Sequence, residues 1–164
     1  GQGFFVLSLL KTHPYLKGVV FDLPGVVNNL DDAILHEKGN LEITYVAGDF
    51  FQEVYKGGVV YMLKSVLHNW DEPSCIAILE NCYKAMPSTG RLLIVERVIS
   101  DGTEKSEAIL FDINMLVMTE GQERTRKEYE SLLDISGFSL NRIIATKSPV
   151  SILECFKKDS RTLL

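Results

Sequence analysis

Short apolar runs of β type alternate along this chain with helical patterns, and the last two of these runs lie almost back to back. Gly18 to Phe21, Leu41 to Val46, Gly58 to Leu63 and Arg91 to Val98 read as strands separated by segments with apolar residues at helical spacing. That is the pattern of successive β-α units around a mainly parallel sheet. Phe138 to Thr146 and Val150 to Phe156 are joined only across Lys147-Ser148-Pro149. A connection so short has no room for a crossover helix, so these two runs predict an antiparallel hairpin. Ordinary dinucleotide-binding folds end instead on parallel strands reached by crossover helices. The expectation is therefore an α/β fold, mainly parallel, with an antiparallel C-terminal hairpin.

Between the strands, Pro24 suits the first turn of a helix whose Val26, Val27, Leu30, Ala33 and Ile34 share one face and which Gly39 ends. Gly58 to Leu63 is apolar on both faces, as expected of a buried central strand. Asp71 can cap a helix with Pro73 in its first turn and Ile76, Leu79, Cys82, Tyr83 and Met86 at helical spacing. Glu107 to Met118 reads as a helix. Thr125-Arg126-Lys127-Glu128 is a capping box opening another, which Gly137 stops. The 164 residues, 46% of them hydrophobic, match one soluble domain. At the other end, Gly1-Gln2-Gly3 runs straight into apolar Phe4 to Leu10, so the chain begins inside a glycine turn without the strand that normally feeds one. The expectation is an N-terminally truncated chain whose first strand is missing.

Seventeen basic residues against twenty-two acidic ones give a net charge of −5, which leaves no broad cationic surface for a nucleic acid backbone. The apolar runs fall well short of the roughly 20 residues that cross a bilayer, and no leader opens the chain, so a soluble, cytoplasmic protein is expected with no membrane partner. Cys75, Cys82 and Cys155 read as reduced packing residues.

Gly1 and Gly3 precede an apolar helix, and Asp22 follows nineteen residues after Gly3 at the end of the next strand. That spacing sets backbone amides against a ligand and a carboxylate on a ribose hydroxyl pair, and it equally suits a tight turn and a capping aspartate. Asp49, followed by Phe50 and Phe51, ends the next strand; a carboxylate there can accept an adenine amine beside a packed ring, or simply close a turn. The order of these residues along one sheet edge favours a nucleoside. His68, Glu96 and Glu123 lie beyond one strand, near the end of another and in a loop. If they converge, a carboxylate on one imidazole nitrogen strengthens the other as a base; taken alone, His68 suits a helix cap as well. His13 and His36 read as capping or exposed histidines. No nucleophile elbow, zinc spacing or phosphate-loop lysine is present, and no metal is expected.

Phe21-Asp22-Leu23-Pro24, Gly48-Asp49-Phe50-Phe51, Leu63 to Glu72 with its His68-Asn69-Trp70, Gly90 to Glu96 and Gly121-Gln122-Glu123-Arg124-Thr125 follow one another in a telling order. That order resembles the S-adenosylmethionine-dependent small-molecule O-methyltransferases, the plant caffeate and flavonoid type, acetylserotonin O-methyltransferase and their bacterial relatives. The resemblance implies a seven-stranded Rossmann-like sheet with an antiparallel last strand. It implies Gly1 and Gly3 under the methionine part of S-adenosylmethionine, Asp22 with Leu23 at the ribose, Asp49 and Phe50 around the adenine, and Lys64 and Trp70 near the cofactor. By the same token His68 is the general base, flanked by Glu96 and Glu123, and the acceptor is a small aromatic hydroxyl compound. Residues 1–164 would then be the C-terminal catalytic domain of a homodimer whose helical N-terminal domain is absent. One departure is Asn69, where relatives often carry Asp. A nicotinamide-dependent oxidoreductase, and a non-catalytic chain that keeps only the fold, are the alternatives.

Overall fold

The computed structural model describes residues 1–99 and 122–158, and the helix expected from Glu107 to Met118 lies outside the described residues. The chain forms two compact units, residues 1–56 and 57–164.

In the first unit, α1 (Phe4–Thr12) leads to β1 (Gly18–Asp22), two short helices, α2 (Pro24–Val27) and α3 (Asp32–Lys38), and β2 (Ile43–Ala47). β1 and β2 pair in parallel, Gly18 opposite Ile43 through Asp22 opposite Ala47. Leu7 and Leu10 of α1, Val20, Ile34 and Ile43 form the core. Each such side chain contributes roughly 1.5–3 kcal/mol when removed from water. The single helix expected from Pro24 to Gly39 is two. The Asn29 side chain donates to Gly25 O, and Asp31 starts a new helix by accepting from the Ala33 N–H. Local polar side chains thus outcompeted the apolar spacing.

The second unit contains β3 (Val60–Lys64), a 3-10 turn (Leu67–Asn69), α4 (Glu72–Ala85), β4 (Arg91–Glu96), β5 (Val98–Ile99), β6 (Arg124–Thr125), α5 (Arg126–Ile135), β7 (Phe138–Ala145) and β8 (Ser151–Lys157). Its main sheet has the order β3-β4-β8-β7, with β3 and β4 parallel and β8 antiparallel to both neighbours. The expected hairpin forms, and β8 inserts inside the sheet while β7 takes the edge. The run read as one strand from Arg91 to Val98 breaks at Arg97, after which β5 pairs in parallel with β6. The expectation that Gly58 to Leu63 is buried on both faces fails for its first half. β3 lies at one edge of its sheet among the described residues, and Val60 is 50% exposed. A strand paired on one side only leaves its outer flank to solvent.

Helix ends follow the sequence. The Asp71 side chain accepts from the Ser74 N–H, Thr125 and Glu128 form a reciprocal capping box, and Gly137 stops α5 at φ +84°. Cys75, Cys82 and Cys155 are unpaired thiols packed in the core. Among the described residues no helix is long and apolar enough to cross a membrane.

Candidate active site

Parallel strands in register end at the same edge, and this geometry gathers the candidates of the first unit. Asp22 closes β1 opposite Ala47, and Asp49 follows β2 by two residues, with the Gly48 N–H donating to Asp22 O at 2.9 Å. Asp22 Oδ1 accepts from the Leu23 N–H at 2.7 Å, and the backbone nitrogen of Gly1 lies against Oδ2. The glycine turn and the first strand-end acid therefore meet. Gly3 adopts φ +91°, and a Cβ there would sit 2.7 Å from Val20 Cγ2. A side chain at Gly48 would be 2.3 Å from the Phe21 ring. Both positions need glycine for close approach. Asp49 Oδ1 accepts from the Phe51 N–H, an Asx turn, and Phe50 packs edge-on against Phe51 at 4.9 Å. Leu23 is exposed beside Asp22.

The second unit builds a different kind of site. β3 ends at Lys64, and the chain turns through Val66 into the 3-10 turn that carries His68. Ser65, the last residue before that bend, has φ +54°, a conformation a non-glycine residue rarely adopts. Glu96, the last residue of β4, is 1% exposed. Its Oε1 accepts from the Val66 N–H at 2.8 Å and the Leu67 N–H at 3.0 Å, and its Oε2 lies 2.6 Å from His68 Nδ1. A carboxylate can only accept, so Nδ1 donates and Nε2 carries the basic lone pair. The hydrogen bond to Glu96 is the main cause holding the His68 pKa above its ordinary value; partial burial opposes it, the charges of Glu96 and Glu123 add to it, and that of Arg124 opposes it. Glu123, just before β6, is close enough to act on His68 through its charge and lies 4.0 Å from Arg97 Nε.

The 3-10 turn has a second anchor, which motif reading passed over. Arg124 is 2% exposed, and its Nη1 donates to Leu67 O at 3.0 Å and Gln122 O at 3.3 Å, its Nη2 to Trp70 O at 2.9 Å. The available signal was a basic residue lodged between Glu123 and a capping box, where a solvated charge would ordinarily be assumed. Trp70 follows the turn directly and also accepts from the Cys75 thiol through its carbonyl.

A sequence profile of the O-methyltransferase domain matches residues 1–139. The chain belongs to the O-methyltransferase domain family. Among the relatives of this O-methyltransferase domain is phenazine O-methyltransferase PhzM of Lysobacter antibioticus, 40% identical over 154 residues that cover 94% of this chain and 45% of that protein. The solved structure of LaPhzM shares 39% identity and a TM-score of 0.91, covering 96% of this chain and 48% of that one. NcsB1, an O-methyltransferase from neocarzinostatin biosynthesis, was solved with S-adenosylmethionine and 2-hydroxy-5-methyl naphthoic acid; it shares 32% identity and a TM-score of 0.85, over 96% of this chain and 46% of that one. The chain spans somewhat less than half the length of these proteins. A family of O-methyltransferases disfavours the nicotinamide alternative.

Proposed function

We propose that the complete protein transfers a methyl group from S-adenosylmethionine to a phenolic hydroxyl of a small molecule, with His68 as the general base. The observation that carries this reading is the His68–Glu96 pair, which fixes one tautomer and leaves Nε2 to take a proton.

The first unit fits the nucleoside end of such a cofactor. Gly3 makes a turn too tight for a Cβ, and Asp22, at the end of β1 with its carboxylate partly exposed, offers an acceptor that suits a ribose hydroxyl. Asp49 keeps a second oxygen beyond its Asx turn for an adenine amine, beside Phe50. Asp22, Leu23, Asp49 and Phe50 would hold that end and Gly1 and Gly3 the methionine part, with Lys64 and Trp70 near the cofactor. When bound, the cofactor supplies an electrophilic methyl group on a positive sulfur. His68 Nε2 takes the hydroxyl proton as the acceptor oxygen attacks, and Glu96, with Glu123 nearby, stabilises the imidazolium. A phenol, with a pKa near 10, yields its proton to imidazole far more readily than an aliphatic alcohol does.

NcsB1 with its bound hydroxynaphthoic acid supports an aromatic acceptor. The proposal extends to a cytoplasmic homodimer in which residues 1–164 are the C-terminal catalytic domain and a strand from outside them pairs with an open parallel edge such as that of β3.

The test replaces His68 with Ala in the full-length protein. Turnover should fall roughly 100-fold or more while the affinity for S-adenosylhomocysteine, measured by calorimetry, stays near the parent value. Undiminished turnover would remove His68 from the role, and a protein that binds no S-adenosylhomocysteine would be a non-catalytic relative. Because the neutral imidazole is the active form and its pKa is raised, turnover should climb with pH through a value above about 6.5.

A further inference from the structure

We infer that Arg124 is a positioning residue for the base: opposite Glu96, it holds by its carbonyls the turn whose amides Glu96 holds, and so sets the backbone from which His68 projects. The inference rests on the reading of His68 as the base.

The turn itself is weak. Three residues of 3-10 helix close only two backbone bonds here, Asn69 N–H to Val66 O at 3.1 Å and Trp70 N–H to Leu67 O at 3.2 Å, and their geometry is inherently poorer than that of an α-helix. Two buried ions of opposite sign grip it. Glu96 takes the N–H groups entering the turn, and Arg124 takes the carbonyls on either side of His68, at Leu67 and Trp70. The planar guanidinium suits this task because it directs several donors in fixed directions, whereas an ammonium offers a single point. The two ions come from backbone segments that are themselves registered. β5 begins two residues after Glu96, and Val98 pairs with Arg124 across the β5–β6 ladder. An error in the position of either segment would therefore move the turn.

The charge matters as well as the fork. His68 faces Glu96 at the end of β4 and, at β6, Glu123 and Arg124; Arg97 lies by Glu123, and Asp71 capping α4, Cys75 of α4 and Tyr129 of α5 interact with the same charges. Among these, Arg124 is the cation that restrains protonation of His68. Without it two carboxylates would face the imidazole with less opposition, and the ring would stay charged, and useless as a base, to higher pH.

Two variants separate the parts in the full-length protein: Arg124→Lys keeps the charge and loses the fork, and Arg124→Met loses both. The readouts are the 15N-detected titration of His68, amide exchange at Asn69 and Trp70, and turnover against KM. Arg124→Lys should speed exchange at both amides and lower kcat by up to about 100-fold, the scale expected of a reacting group displaced by an ångström, with little change in KM for S-adenosylmethionine. Arg124→Met should in addition move the His68 titration to higher pH, and Arg124→Lys should restore it. Unchanged exchange and kcat in a folded Arg124→Lys protein would overturn the inference. If Arg124→Met fails to fold, the exchange result for Arg124→Lys decides. Titration and exchange need no methyl transfer, so they judge Arg124 even if the catalytic reading falls with His68→Ala.

Discussion

Asp22 of the first unit ends β1 and Asp49 follows β2 by two residues, and each gives one oxygen to a neighbouring amide, Leu23 or Phe51, while remaining partly exposed. Glu96 of the second unit is engulfed, with both oxygens committed to partners about thirty residues away, at Val66, Leu67 and His68. The first arrangement presents acceptors to a ligand with little dependence on the rest of the fold. The second constructs a base from residues that local sequence cannot bring together. Binding groups can be set by a turn, whereas a base needs its tautomer, backbone and field fixed at once.

Glu96→Ala should expose this difference most strongly. It strips the partner from His68, two amides and the field opposing Arg124, and the expected cost is about 3–5 kcal/mol of stability, read from urea unfolding. Glu96→Gln keeps a carbonyl acceptor but loses the charge, so the His68 pKa should drop toward its ordinary value and the acid limb of the pH–rate profile should move down with it. A loss no larger than that of a surface acid would mean that the engulfed carboxylate is no more consequential than the exposed ones.

Asp22→Asn tests the other side. Losing one charge-assisted hydrogen bond should weaken S-adenosylhomocysteine binding roughly 10-fold or more in calorimetry, while the His68 titration stays where it was. A shifted His68 titration would break the distinction between a locally built binding edge and a separately built base. Thr125→Ala has the smallest expected effect. It removes the cap that starts α5 directly after Arg124, and thermal unfolding should report a loss of about 1 kcal/mol. A larger loss, accompanied by faster exchange at Asn69, would mean that the cap also supports the Arg124 clamp.

Much of this was written locally. The capping box at Thr125, the cap at Asp71 and the hairpin across Lys147-Ser148-Pro149 all followed from neighbouring residues, because capping and tight connection depend on a handful of adjacent groups. The same logic misjudged the segment after Pro24, where Asn29 and Asp31 found backbone partners that hydrophobic spacing does not register. It misjudged β3 as well, since apolar composition says what a strand could bury but not which neighbour will lie beside it.

His68, Glu96 and Glu123 could be singled out by residue type and strand-end position, yet nothing in their spacing assigned Nδ1 to Glu96 or recruited Arg124. By itself the sequence determined the alternation of strands and helices, the antiparallel ending and the placing of acids at strand ends, because these are consequences of periodicity and chain connectivity. Only the tertiary structure decided that β8 lies beside β4, that Glu96 reaches the turn after β3, and that a buried guanidinium spans Leu67 and Trp70. Those choices depend on which distant groups exclude water from one another, and a low-dielectric interior makes each partner's charge count only after the fold has brought it there.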